Sequence, residues 1–288
     1  MSAANGDIAS GTSNNITWVI DANGKLTISG SGDFLRSGEY RDRAPWYGYR
    51  ESIKSAVVNV TGMTDASNMF CLCENLTSVD LSHFDTSNVT DMDSMFELCS
   101  SLVNLDVSGF DTSKVTNMSR MFACCNSLNS LDLSHFDTSN VTDMTGMFNL
   151  CWTLKSLDLS SFDTSNVEMM WFMFDSCTEL DTLNVSSFDT SKVENMQQMF
   201  ATCVNLKNLK VDNFDTSNVT NMRCMFCECW SLTDIDVSNF NTSNVENISG
   251  MFLDDNLKEL DLRNFDLSNV KHAFDMFERC DNLSTIYT

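Results

Sequence analysis

Two apolar blocks alternate along most of this chain. One reads LxxLxLxxF, as in Leu102, Leu105, Val107 and Phe110. Its inward pair, Leu105 and Val107, alternates with polar Asp106 and Ser108, which predicts a short strand with one buried face. The other block spaces Val89, Met92, Met95, Phe96 and Cys99 by three and four residues. Val89 to Met92 predict a second short strand, because β-branched residues suit extended backbone, and residues 94–99 predict one or two helical turns. The alternative is a helix through the whole block from Val89 to Cys99, with Thr86 or Ser87 as its cap. Before residue 58 the pattern changes: Ile16, Trp18 and Ile20 alternate, Asn23-Gly24 marks a turn, and Leu26 and Ile28 alternate again. That is the signature of a β-hairpin.

Both blocks recur with a fixed period. The phenylalanines at 84, 110, 136, 162, 188, 214 and 240 are 26 residues apart, and only the step to Phe265 is one shorter. A degenerate unit precedes them, with Met69 and Phe70 one period before Met95 and Phe96. A repeat of this length predicts a solenoid, in which a coil buries its apolar face only by stacking on its neighbours. The fold expected is an α/β repeat solenoid: a leucine-rich-repeat-like, right-handed coil stack. It would carry a parallel β-sheet, short helices on the other side and an N-terminal β-hairpin cap. Residues 1–12 read as a flexible leader, 13–57 as the cap, and 58–288 as nine coils. With strands about 4.8 Å apart, nine coils span on the order of 40 Å. No second cap follows the last coil, so the stretch reads as part of something longer.

The repeats FDTSNVTDMxxMFxxCxxLxxLDLS resemble the 26-residue bacterial surface protein repeat of lipoproteins and cell-wall proteins from Gram-positive bacteria and mycoplasmas. The stretch from Ser10 through Trp46 and Tyr47, with its ITWVIDANGKLTIS core, is similar to the start of BspA-like leucine-rich repeat proteins. Between them the two stretches span nearly the whole chain. The resemblance implies an exported surface protein, several relatives being adhesins for host matrix or mucus components, and supplies no catalytic residues. It places the chain outside the cell, on a bacterial surface, with signal peptide and anchor absent from this stretch.

Charge narrows the partners. Forty acidic against 17 basic side chains give a net charge of −23, which disfavours nucleic acid and anionic membranes. No apolar run approaches the roughly 20 residues of a membrane helix, so no insertion by this segment is expected.

The cysteines and methionines are periodic. Cys73, Cys99, Cys125, Cys151, Cys177, Cys203 and Cys229 share one repeat position, with Cys280 closing the series, and Met69 to Met276 form a ladder in which each Met precedes a Phe. Both columns are expected inside, as packing rather than as disulfides, metal ligands or a cofactor box. Cys71, Cys124, Cys224 and Cys227 fall off the column, and no histidine near the last two supports zinc.

Carboxylates form two columns. Asp85, Asp111 and their equivalents open the DTS turns and are expected to accept backbone amides there. Asp80, Asp106, Asp132, Asp158, Asp236 and Asp261, interrupted by Asn184 and Lys210, are expected on the outer strand face with less local work to do. Like charges about 4.8 Å apart repel by about 0.9 kcal/mol in water, and calcium at Asp106, Asp132 and Asp158 is the one metal that this ladder suggests. The candidate ligand-binding face is therefore Asp106, Asp132, Asp158, Asn184, Lys210 and Asp236. No nucleophile, acid and base converge, so no enzyme activity is expected. The leading expectation is an adhesin that engages a host extracellular-matrix or mucus glycoprotein, and the rival is a stalk or spacer. Met169, Met170, Trp171 and Phe172 crowd one coil, and their exposure bears on that choice.

Overall fold

The computed structural model describes residues 6–36 and 43–288. Strands β1 (Ala9–Ser13), β2 (Ile16–Ile20) and β3 (Lys25–Ser31) form an antiparallel meander, and β4 (Ser55–Thr61) and β5 (Ser78–Asp80) extend it in parallel. The hairpin lies where the alternation placed it, with Ile16, Trp18, Ile20, Leu26 and Ile28 buried. Its turn is held by Asp21, whose Oδ1 accepts the amides of Asn23 and Lys25. Gly24 takes φ +82°, and a Cβ there would stand 2.3 Å from the Ser52 carbonyl. The expected leader 1–12 is corrected in part, since Ala9 to Thr12 pair with β2 as the edge strand of the sheet; residues 1–5 lie outside the described residues.

Trp46 fills the space under this sheet. It is fully buried, packs edge-on against Trp18 and Phe34, and its Nε1–H donates to the Met69 carbonyl at 2.8 Å. The hairpin side is thereby tied to the first coil.

From there the chain is a stack of β-coils, and the helices expected on the far side are absent among the described residues. The only helical segment there is a 3-10 turn at Tyr47–Ser52, before the repeats. The physical reason lies in where the amides go. Ala66, Asn68, Phe70 and Leu72 donate to the carbonyls of Asp91, Asp93, Met95 and Glu97 in the next coil, at 2.8–2.9 Å. The amides between them, Met69, Cys71 and Cys73, close turns within their own coil onto Ala66, Asn68 and Phe70. An α-helix would keep all of these bonds inside one segment. Two residues per coil are also left-handed, as Ser94 and Leu98 (φ 55° and 61°) and Arg120 and Cys124 (φ 51° and 58°), which interrupts any right-handed run. Left-handed backbone costs about 1–2 kcal/mol per non-glycine residue, and the coil-to-coil bonds hold it.

The hydrogen-bonded seam is thus continuous on the turn side. Parallel bridges join Asp65, Asp91, Asn117, Asp143, Met169, Asn195, Asn221, Asn247 and His272 in turn. The second strand expected at Val89 to Met92 is reduced to this single rung. On the other side the expected sheet is discontinuous: beyond β5, among the described residues, β6 (Ser156–Asp158) pairs with β7 (Thr182–Asn184), a single bridge continues from Thr182 to Asn208, and β8 (Glu259–Asp261) pairs with β9 (Thr285–Tyr287).

Four ladders fill and tie the interior. Phe70, Phe96, Phe122, Phe148, Phe174, Phe200, Phe226, Phe252 and Phe277 stack face to face, with centroids 5.5–6.0 Å apart and planes within 15°. Cys99, Cys125, Cys151, Cys177, Cys203 and Cys229 are buried free thiols, each donating S–H to the Phe carbonyl of the preceding coil at 3.1–3.3 Å. The Thr of each DTS turn donates to the next coil, and Thr86, Thr112, Thr164 and Thr216 do so reciprocally: Thr164 Oγ1 donates to the Asp189 carbonyl and accepts the Asp189 amide, at 2.9 and 2.8 Å. The methionine ladder is buried as expected from Met69 to Met251, with Met276 partly buried in the last coil.

Candidate ligand-binding face

On the strand side, outward positions Asn104, Ser130, Ser156, Thr182, Asn208, Asp234 and Glu259 are all exposed, one per coil. Asp106, Asp132, Asp158, Lys210 and Asp236 are exposed beside them and Asn184 is half-buried. The carboxylates have more local work than the sequence indicates. Asp106, Asp132, Asp158 and Asp236 each accept the amide two residues on through Oδ1, at 3.0 Å. Hydrogen bonds from Ser108 and Ser238, hydroxyl and amide together, hold Asp106 and Asp236 below the usual carboxylate pKa, and the amides and hydroxyls of Ser134 and Ser160 do the same for Asp132 and Asp158. The column is part of the turn scaffold, as is the DTS column, where Ser87 and Ser113 donate to Asp85 and Asp111.

The two interruptions relieve the ladder of charge. Asn184 donates its amide to Asp158 Oδ1 at 3.1 Å, so a neutral donor stands where a carboxylate would repel. Lys210 lies with Asp236 in a groove of about 360 Å³ that Lys207 and Asp234 also line. Asp106 lies instead in a separate groove with Asp80, near the first coils. The six expected residues are therefore not one cluster.

What the structure adds is a trough. A groove lined by Lys155, Asp181 and Lys207 adjoins the Lys207–Lys210–Asp236 groove, which adjoins a third lined by Asp234, Asp236, Lys258 and Tyr287. Lys207 Nζ stands 3.4 Å from Asp181. Lys155, Lys207 and Lys258 were not singled out from the sequence. The signal was there: they share one repeat position, Asp181 falls between the first two, and lysine is scarce in this acidic chain.

The turn side carries a second irregularity. Asp65, Asp91, Asn117, Asp143, Asn195, Asn221 and Asn247 each accept the amide two residues on, and of the bridged positions only Met169 and the terminal His272 have no side-chain oxygen to do so. Met169 is 41% exposed, Met170 is buried, and Trp171 and Phe172 are half-buried with ring centroids 5.4 Å apart. The aromatics thus neither project fully nor join the core. No group of three or more His, Cys, Asp or Glu among the described residues is placed to hold a metal ion, and no helix there is long and apolar enough to cross a membrane.

Comparison with known proteins gives one family. The profile described as "Mycoplasma protein of unknown function, DUF285" matches residues 50–131, 124–211 and 170–287. No curated protein matches. Among solved structures, the chain is similar to a leucine-rich repeat protein from Eubacterium ventriosum, at 18% identity, covering 94% of this chain and 95% of that one, with a TM-score of 0.43. It is similar also to a leucine-rich cell surface protein from Faecalibacterium prausnitzii (16% identity, 99% and 96% covered, TM-score 0.35). A leucine-rich repeat protein from Bacteroides ovatus matches at 15% identity, with 98% and 81% covered and a TM-score of 0.43.

Proposed function

Since the chain belongs to the DUF285 family of Mycoplasma proteins of unknown function, we propose that it is a bacterial surface-displayed binding protein. It acts as an adhesin, displayed outside the cell, and its partner is a host extracellular-matrix or mucus glycoprotein. The observation that carries this reading is the trough from Lys155 to Tyr287. Elsewhere the strand face repeats one acidic turn per coil; here lysines and carboxylates alternate over three adjoining grooves. Such a surface suits many weak polar contacts along an extended partner, each coil adding one. A stalk needs only the interior ladders and gains nothing from this departure in the outward columns.

No cofactor is assigned. Calcium at Asp106, Asp132 and Asp158 is tested in the same assay as adhesion, which is binding to immobilised mucin, fibronectin, fibrinogen and collagen, with calcium and with chelator. Saturable binding to one member is the expected result. Loss of that binding in chelator would assign calcium to the Asp106 column. Flat responses across the panel in both buffers, from folded protein, would replace the adhesin by the stalk.

A further inference from the structure

Four cysteines lie off the buried column, and two of them meet. Cys224 and Cys227 form a Cys-x-x-Cys pair across one turn, the Cys227 amide donating to the Cys224 carbonyl at 3.3 Å. A turn of four residues brings its end Cα atoms within about 7 Å, near the reach that a disulfide requires. No other coil has cysteine at both positions: those of Cys224 hold Asn68, Ser94, Arg120 and Gly146, and those of Cys227 hold Ala123 and Ala201.

The surroundings of the pair differ from those of the column. Cys224 is partly exposed and lines an open groove of about 540 Å³ with Arg223, Gly250, His272, Phe274 and Asp275. Gly250, at φ +62° in the next coil, leaves the thiol uncovered: a Cβ there would stand 3.0 Å from Cys224 Sγ. Cys227 is buried beneath. A hydrogen bond from the Cys227 thiol, with the Arg223 charge adding to it, draws the Cys224 thiol below its ordinary range, while the same contact and burial push Cys227 up. The column thiols go the other way, Cys151 being pushed up to about 12 by burial, so they are poor nucleophiles.

We propose that Cys224 and Cys227 are a redox-active dithiol that exchanges with small disulfides of the cystine and glutathione class, Cys224 attacking and Cys227 resolving. The Cys224 thiolate attacks one sulfur of the disulfide, whose S–S bond breaks. One thiolate leaves and takes up a proton, and Cys224 is held in a mixed disulfide. Cys227 then loses its proton to solvent and attacks Cys224 Sγ, expelling the second thiolate, which is protonated in turn. The dithiol is oxidised by two electrons and the small disulfide is reduced to two thiols. The reaction is independent of the adhesin reading, since groove and trough lie on different sides of the coil.

The test uses the reduced full chain with glutathione disulfide, followed by peptide mass mapping, and two variants that borrow residues from the same repeat columns, Cys224→Ser and Cys227→Ala. Wild type is expected to lose two hydrogens from the peptide holding both cysteines, and Cys227→Ala to stop at a glutathione adduct on Cys224. Cys224→Ser is expected to form neither product. Iodoacetamide should modify Cys224 on the order of tenfold or more faster than any column thiol at neutral pH. A folded wild-type chain that leaves this pair reduced, or that reacts first at Cys227 or at the column, would overturn the proposal.

Discussion

A Phe148→Ala variant is expected to lose about 3–5 kcal/mol of unfolding free energy, the range for removing a buried phenylalanine, and to unfold in two steps where wild type unfolds in one. Phe148 is fully buried and stacks on Phe122 and Phe174 at 5.9 and 5.7 Å. Its loss opens a cavity on both sides of one coil. In a stack where coils touch only their neighbours, weakening one junction uncouples the segments on either side. Phe277 provides the contrast, since it is partly exposed and has a ring partner on one side only, Phe252. Phe277→Ala should therefore cost less and keep a single step. Urea unfolding followed by circular dichroism reads both variants, and equal losses would refute a ladder of nearest-neighbour junctions.

The second large effect is electrostatic. Asp255 stands where neighbouring coils place a cysteine, and it is buried with Oδ1 accepting the Cys229 amide and Oδ2 without a protein partner. Burial, with Asp254 and Glu228 adding like charge, pushes its pKa up to about 8 from 3.8. Between these values the folded chain keeps a proton that the unfolded chain has released, so stability falls as pH rises from about 4 to about 8 and then levels off. At about 1.4 kcal/mol per unit, the penalty at pH 7 is about 4 kcal/mol. Asp255→Asn keeps the acceptor for Cys229 and removes the ionisation. It should be more stable than wild type by up to this amount at pH 7 and equal to it near pH 4. A constant difference between the two across pH 4 to 8 would show that Asp255 is charged in the folded state.

The coil architecture was legible because its period is a property of the interior. Each Phe96, Cys99 and Val107 must meet its own equivalent, so the repeat in the letters is the repeat in space. The helix expected over residues 94–99 failed for a reason that spacing cannot carry. Three- and four-residue spacing suits consecutive turns as well as a helix, and what selected turns was the next coil's carbonyls accepting every second amide. Asp255 was visible in principle, since aligning on Met251-Phe252 puts it in the cysteine column. The one-residue shortening before Leu257 obscured it. The acidic strand face was located correctly, but its turn hydrogen bonds and the trough depend on side chains from three coils meeting, which no single repeat shows.

The most direct test of recognition by the strand face compares two variants on the panel protein that wild type binds. Lys207→Glu with Lys210→Glu reverses the charge of the trough, and Met169→Asn places on the turn side the residue already present at Asn117 and Asn195. With folding confirmed by circular dichroism, the lysine double variant is expected to lose saturable binding while Met169→Asn binds as wild type does. Undiminished binding by the double variant, or loss confined to Met169→Asn, would contradict the strand face as the binding surface.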